Sequence, residues 1–250
     1  MKIDLHTHGK LSKKAEFTLE GFREHVLQAK ENGLSGFALT EHFNTTNFEY
    51  IYDTLDAHYS YMSDYYDVEG LRVFPGMEVD IQEVGHILLI GKRQDIKEIN
   101  KFLVPYRAKE SFIPFDSLIA FVRPYHVLKI GAHPFREAKG LAHLDKGHLK
   151  QLDALDLNAT DLYHQGLKMK MELVIFASEL QLPVVAGSDT HQSLQFGSVY
   201  NDLREEVSTI QELKDVIMRN AYDIEISPCL KEKVKAARLV KKTLKKSLSV

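Results

Sequence analysis

Short apolar runs alternate with longer amphipathic stretches along this 250-residue chain, and this alternation constrains the fold more than any other feature. The runs typical of strands are 1–5, 36–40, 71–79, 86–90, 129–132, 154–158 and 183–187; helical spacing occurs at 18–32, 167–180 and 208–219, with less regular helix over 47–68 and mixed helix and loop over 95–125. Such alternation predicts right-handed βαβ units and a parallel sheet. Six or seven units in this length favour a closed barrel, with an open doubly wound sheet as the alternative.

The composition is that of a soluble globular protein, with 44% apolar and 27% charged residues. No apolar run approaches the roughly 20 residues that span a bilayer, and the first residues lack the apolar region of a signal peptide. The sequence therefore predicts a cytoplasmic protein without a transmembrane segment. Its single cysteine, Cys229, excludes an internal disulfide and a thiolate metal cluster.

Charge is distributed unevenly along the chain. Residues 227–250 contain eight Lys or Arg and one acidic residue. Because the formal net charge of the whole chain is −3, the remaining residues together carry a net charge of about −10. Apolar residues in this segment recur every three or four positions, at Leu230, Val234, Ala237, Val240, Leu244 and Leu248. We expect a barrel domain over 1–226 and, over 227–250, a basic amphipathic helix packed on it. The alternative is that this helix also meets an anion, a membrane surface or a partner chain.

Potential metal ligands follow the strand-like runs. They are His6, His8, His42, Glu78, His86, His133, Asp189 and His191, with Glu41 and Asn158 at comparable positions. In parallel α/β folds the carboxyl ends of the strands form the functional edge, and alternate residues of an extended chain face the same way. Imidazole and carboxylate groups crowded at one edge would repel one another or change their pKa values without a cation. The pattern thus predicts a centre for divalent ions such as Zn, Mn or Fe.

These residues lie within motifs that resemble the PHP (polymerase and histidinol phosphatase) family of metal-dependent phosphoesterases. The matching segments, in the family's order, are DLHTHG, LTEH, PGMEV, GHILLIG, AHP and GSDTH. The resemblance implies a distorted (βα)7 TIM-like barrel that holds two or three metal ions at the carboxyl ends of its strands. It does not identify the substrate, because members hydrolyse histidinol phosphate, nucleotides, nucleic-acid ends and phosphotyrosine.

The resemblance also implies a role for each candidate ligand. His6, His8 and Asp189 resemble ligands of a first metal, and Glu78 resembles the carboxylate that bridges the first and second. The remaining ligands of the second metal would be His86 and His133, and those of a third would be His42 and His191. Many members complete the third site from the loop after the first two histidines, where this chain has Lys13 and Lys14. Because a protonated lysine cannot bind a metal, the third ion is weak, absent or completed from elsewhere.

These residues predict a phosphomonoesterase in which a metal-bridging hydroxide attacks a small phosphorylated substrate. Arg136 is the candidate phosphate clamp, Lys14 the candidate replacement for third-metal charge, and His191 or His42 the candidate acid for the leaving oxygen. The alternatives are a phosphodiesterase or nuclease, and a regulatory module that binds metal or phosphate without turnover. The acidic barrel domain disfavours a nucleic-acid partner without excluding one. The sequence leaves the oligomeric state open.

Overall fold

The computed structural model describes residues 1–247, and the side chains of residues 1–245. The strands are, in chain order, β1 (Lys2–Thr7), β2 (Gly36–Leu39), β3 (Ser60–Met62), β4 (Tyr65–Val68), β5 (Leu71–Asp80), β6 (His86–Ile90), β7 (Leu128–Ala132), β8 (Ala154–Asn158), β9 (Val184–Gly187), β10 (Val199–Leu203) and β11 (Tyr222–Ile226). The α-helices are α1 (Leu19–Glu31), α2 (Phe48–His58), α3 (Arg93–Phe102), α4 (Phe115–Val122), α5 (Lys146–Leu149), α6 (Ala159–Gln165), α7 (Leu167–Leu180), α8 (Ile210–Met218) and α9 (Leu230–Ser247).

Seven strands form a nearly closed barrel in the order β1-β2-β5-β6-β7-β8-β9. The ends of the row meet through a parallel bridge between Thr7 and Thr190, and the His8 amide donates to the Thr190 carbonyl at 2.9 Å. Asn201 on β10 ties both sides, because its amide group bonds to the backbone of Ile3 and of Ala186. The distorted (βα)7 barrel expected from the sequence is confirmed.

The sheet is mixed, so the expectation of a purely parallel sheet was wrong. Strands β1, β2 and β5 are parallel, as are β7, β8 and β9, but β6 runs antiparallel to both of its neighbours. Only residues 81–85 connect β5 to β6, and a connection this short returns the chain as an antiparallel hairpin instead of a crossover. In addition, β10 pairs antiparallel with β1, and β11 pairs antiparallel with β10.

The helix expected over 47–68 is only half correct. Helix α2 ends at His58, and the following Tyr-rich segment forms the β3–β4 hairpin. Strand β4 then pairs antiparallel with β5 through a tight turn at Gly70, whose φ of +82° suits glycine. Tyrosine favours strands once a neighbouring strand is available, and that neighbour is not visible in local helical spacing. Strands β10 and β11 were likewise absent from the expected elements.

Other expected elements agree closely with the structure. Helix α1 begins after Thr18, whose hydroxyl accepts a hydrogen bond from the Gly21 amide at 3.2 Å, and it ends at the expected Asn32. The expected helices over 167–180 and 208–219 correspond to α7 and α8. Side chains from β1, β2, β5, β6, β7, β8, β9 and α8 share one apolar cluster, which supports the polar site at the carboxyl edge.

Helix α9 packs through its first half. Leu230, Val234 and Ala237 are buried, and the Lys233 ammonium donates to the Asn32 side chain and to the Phe196 carbonyl. The apolar stripe leaves the core farther along, because Leu244 is 43% exposed. The last expected member of the stripe, at 248, lies outside the described residues. No helix within residues 1–247 is long and apolar enough to cross a membrane.

Candidate metal centre

One edge of the barrel collects all eight candidate ligands. His6 and His8 come from the end of β1, and the others lie near the ends of β2, β5, β7 and β9 or at the start of β6, at His42, Glu78, His86, His133, Asp189 and His191. His86 reaches this edge from the beginning of its strand because β6 runs in the opposite direction to its neighbours. The register between β1 and β2 shifts between Asp4 and Thr7. Ile3 and Leu5 belong to the apolar cluster inside the barrel, whereas His6 and His8 lie among the candidate ligands.

The first group of donors consists of His6, His8 and Asp189, whose ligand atoms lie within 4.8 Å of one another. The Asp189 Oδ1 atom is 3.6 Å from His6 Nε2 and 3.2 Å from His8 Nε2. Two imidazole nitrogens therefore converge on one carboxylate oxygen from alternate positions of a single strand.

The second group consists of Glu78, His86 and His133 and meets the same 4.8 Å limit. His133 Nε2 lies 3.2 Å from Glu78 Oε1, which His86 Nδ1 also contacts. The other Glu78 oxygen, Oε2, is 3.5 Å from His8 Nε2. Glu78 Oε1 also lies 3.7 Å from His6 Nε2, so this carboxylate lies between the first and second groups and is placed to be shared by them.

A third group consists of His8, His42 and His191. The imidazole centre of His8 lies 4.0 Å from that of His191 and 4.5 Å from that of His42. His42 Nδ1 also lies 2.8 Å from Glu78 Oε2. This group contains no side chain from the loop after β1, so its third donor is a histidine that also belongs to the first group.

Several donor atoms in these groups are buried and make no hydrogen bond of good geometry among the described residues, although some lie close to a carboxylate oxygen. They include His6 Nε2, His8 Nε2, His42 Nδ1 and Glu78 Oε2. Each unsatisfied buried polar atom costs about 1–3 kcal/mol, and the cost rises for a charged group. Nitrogen and carboxylate oxygen that converge in this way are the donor set of a transition-metal ion, so these residues fit divalent cations.

Electrostatics keeps both central carboxylates ionised. Burial acts to raise the pKa of Glu78, but positive charge on His86 and a hydrogen bond with His133 hold it well below its usual range. Burial also opposes ionisation of Asp189, whose pKa is nevertheless held far down by His6 and Arg136. Two anionic carboxylates lie among six imidazoles and one guanidinium, and they attract a divalent cation once the imidazoles are neutral.

The imidazoles divide into two classes by pKa. Burial lowers the pKa of His133 to about 3 and lowers those of His42 and His191, which favours the neutral form that binds a metal. Burial also opposes charge on His8, yet bonding to Asp189 and Glu41 raises its pKa to about 8. A metal ion must displace this proton, so metal binding and proton release are coupled here.

A second layer of carboxylates orients three of the histidines. Asp156 Oδ2 lies 2.9 Å from His6 Nδ1, and Asp80 Oδ1 lies 3.0 Å from His86 Nε2. Glu41 Oε1 is 3.5 Å from His8 Nδ1. Such contacts leave the opposite ring nitrogen aimed at the metal position. The sequence analysis missed Asp156 and Asp80, although each lies two residues from a noted strand-end position.

Arg136 lies at the cleft, but its guanidinium is already engaged. It donates to Asp189 Oδ2 at 2.9 Å, to Asp161 Oδ1 at 3.1 Å and to the Asn158 side chain at 2.9 Å. Burial opposes its charge, but the two carboxylates raise its pKa. Arg136 therefore positions a candidate ligand, and two of its five N–H groups remain for a phosphate oxygen.

The loop after β1 places Lys13 and Lys14 in different surroundings at the cleft. The Lys13 ammonium donates to Asp80 Oδ2 at 2.7 Å and so joins the network behind His86, whereas Lys14 is exposed at the rim of the cleft. Buried Lys10 holds the loop through bonds from its ammonium to Thr45 Oγ1 and the Thr46 carbonyl, both at 2.8 Å. Both Lys13 and Lys14 line the cleft, and they differ in that Lys13 is held by Asp80.

A cleft of about 2600 Å³ opens above the three groups. Its lining includes metal-centre residues, the loop after β1, the loop around Arg136, and part of α9. His164, whose position the sequence left undecided, borders the cleft on α6 and contacts Arg238. The cleft is the access route to the centre.

Fold and site together define a metal-centre protein of the barrel class, with histidine and carboxylate donors at the carboxyl edge. The model of the PHP domain family matches residues 4–228. The chain therefore belongs to the PHP domain family, as its motifs predict. No curated protein sequence matches it significantly.

Solved structures resemble the chain in fold. PsfC from Pseudomonas syringae PB-5123 superposes with a TM-score of 0.82 at 19% identity, over 97% of this chain and 98% of that one. The lesion-specific endonuclease PfuEndoQ from Pyrococcus furiosus gives a TM-score of 0.65 at 18% identity, over 89% of this chain and 57% of that one. At these identities the likeness establishes the barrel and not the substrate.

Proposed function

We propose that this protein is a metal-dependent hydrolase of small phosphomonoesters. The observation that carries the proposal is Glu78, a buried carboxylate of the second donor group that also lies 3.5 Å from His8 Nε2 and 2.8 Å from His42 Nδ1 at an open cleft. Membership of the PHP domain family supports the same reaction class. In this proposal residues 1–226 form the catalytic barrel, and the segment that begins at 227 adds α9 to it.

The proposed ligand sets follow the three donor groups. His6, His8 and Asp189 hold the first ion, with Glu78 shared between it and the second. The second ion is completed by two further histidines, His86 and His133. Zn, Mn or Fe suits these donors, and such ions supply Lewis acidity that lowers the pKa of water and neutralises phosphate charge. A third ion would take His42 and His191 and would share His8.

Arg136 and Lys13 supply the fixed positive charge in this proposal. Arg136 lines the cleft with its guanidinium held by Asp189, Asp161 and Asn158, so a phosphate oxygen would meet a donor that does not need to reorganise. Lys13 stands where related sequences provide a third-metal ligand and supplies charge without coordination.

His191 acts as a ligand and not as the leaving-group acid in this proposal. Burial, together with the positive charges of His8 and Lys241, lowers its pKa well below the usual value, so the imidazole carries no proton to give near neutral pH. His42 has a lowered pKa for a similar reason, with burial as the main cause. Water or a cleft-lining side chain must then protonate the leaving oxygen.

Phosphodiester hydrolysis is the second candidate, favoured by the size of the cleft and its basic side chains. A comparison of p-nitrophenyl phosphate with its bis-ester, using protein loaded with Mn²⁺ or Zn²⁺, separates the candidates. We expect faster turnover of the monoester and none in Glu78→Ala. Preference for the bis-ester would favour the second candidate, and no turnover of either ester would favour a regulatory module.

A further inference from the structure

The polar side of α9 forms one wall of the cleft. The same cavity is lined by candidate ligands on its floor and by five basic residues of this helix, Lys235, Arg238, Lys241, Lys242 and Lys245. Positions 235, 238, 242 and 245 lie three or four residues apart and therefore share one face of the helix. Basic residues of a single helix thus line the same cavity as the candidate ligands.

Apolar packing accounts for the first half of α9 but not for the course of the second. Leu230, Val234 and Ala237 anchor the beginning, whereas Leu239 is 65% exposed. Arg238 contacts His164 and lies with its guanidinium 5.7 Å from the ring centre of Tyr163 on α6. The helix continues along the mouth of the cleft with little hydrophobic gain, so its position there points to a role in binding.

Lys241 is a half-buried residue of the cleft wall whose charge interacts with that of Asp189. Burial lowers its pKa to about 8, while the negative charge of Asp189 acts in the opposite direction. Within residues 1–245, Lys241 and Lys242 take part in no ion pair. A partly desolvated ammonium that makes no ion pair is unfavourable, and a bound anion that paired with it would offset that cost.

The number of cations exceeds what one phosphate group needs. The metal centre and Arg136 would bind the scissile phosphate at the floor of the cleft. The basic residues of α9 lie on the wall and would remain available for a second anionic group. The cleft is also larger than the roughly 300–1000 Å³ typical of small-ligand pockets, so it has room for a second group.

We infer that the α9 wall is a second anion site, which binds a phosphate or carboxylate of the substrate distal to the scissile phosphate. Preferred substrates are therefore small phosphoesters with a second negative charge. This inference rests on the proposed function, because it assigns the anion to a substrate, but anion binding itself can be measured without turnover.

Binding provides the first test. Calorimetry on the full-length, metal-loaded protein would compare butane-1,4-bisphosphonate with butylphosphonate, which lacks the distal charge. We expect the bisphosphonate to bind about ten- to a hundredfold more tightly, the effect of one charge-assisted contact. Lys241→Gln combined with Lys242→Gln should remove this preference. Lys231→Gln, which removes one positive charge from an exposed residue of α9 outside the cleft lining, should retain it.

Equal affinity for the two phosphonates, or equal loss in Lys231→Gln, would overturn the inference. Tighter binding of a 20-nucleotide single strand than of the bisphosphonate, with the same lysine dependence, would also overturn it in favour of nucleic acid.

Turnover provides the second test, with 4-carboxyphenyl phosphate and its neutral isostere 4-carbamoylphenyl phosphate. We expect a higher kcat/KM for the carboxylate in wild type and a reduced ratio in the double variant. Turnover without any charge preference in either test would refute the anion site alone. Absence of turnover, with the bisphosphonate preference intact, would refute the proposed function and support the anion site.

Discussion

Replacement of Glu78 by Gln should greatly weaken metal binding while leaving the barrel folded. Glu78 Oε2 lies 2.8 Å from His42 Nδ1 and 3.5 Å from His8 Nε2, and Glu78 Oε1 lies 3.2 Å from His133 Nε2. The carboxylate is 1% exposed, so no water can replace it without rearrangement. The Gln side chain keeps the shape and removes the charge that two neighbouring ions would share.

The magnitude follows from the two shared contacts. A hydrogen bond or ion contact to a charged group contributes about 1.5–3 kcal/mol, so the loss of one contact to each ion costs about 3–6 kcal/mol in total. This corresponds to roughly two to four decades in the combined affinity for two ions.

Metal analysis of the purified protein and calorimetric titration with Mn²⁺ would measure this loss. Glu24→Gln, an exposed helix position, is the matched control and should bind metal like the wild type. Circular dichroism would establish that both variants fold. A folded Glu78→Gln variant that retains both ions with affinity near that of wild type would refute the bridging assignment.

Three further predictions concern the surroundings of the centre. Asp156→Asn should weaken metal binding about 10- to 100-fold, measured by titration, because the carboxylate orients His6; an unchanged affinity would contradict that role. Metal affinity should rise at least tenfold per pH unit below about pH 8, because His8 must lose a proton and His6 and His86 also have raised pKa values; pH-independent titrations below pH 8 would contradict the coupling. Lys13→Ala should lower kcat about tenfold or more, whereas Lys14→Ala should change it less than twofold; steady-state kinetics showing the reverse order would restore Lys14 as the acting lysine.

Local sequence patterns determined the barrel and the composition of its functional edge. The alternation of strand-like and helical runs predicts the barrel, and the spacing of His6 and His8 predicts that both face one site. Such patterns are readable because side-chain direction depends on the local period of the backbone. The eight candidate ligands could be found in this way because each lies within a few residues of a strand end.

Tertiary structure alone decided how these elements and residues pair. The β3–β4 hairpin and the attachment of β10 depend on which strand lies alongside, whereas the reversal of β6 follows from the short connection over 81–85. Asp156 reaches His6 across 150 residues of chain, and Arg136 turns toward Asp189 across 53.

The same holds for the ends of the chain. The basic stripe of α9 is visible in the sequence, but its position over the cleft is not, since it depends on where the buried half of the helix docks. Lys13 and Lys14 are adjacent and chemically identical, and only the fold of their loop gives one of them Asp80 as a partner. Contacts between distant residues arise from packing of the whole chain, so no local pattern encodes them.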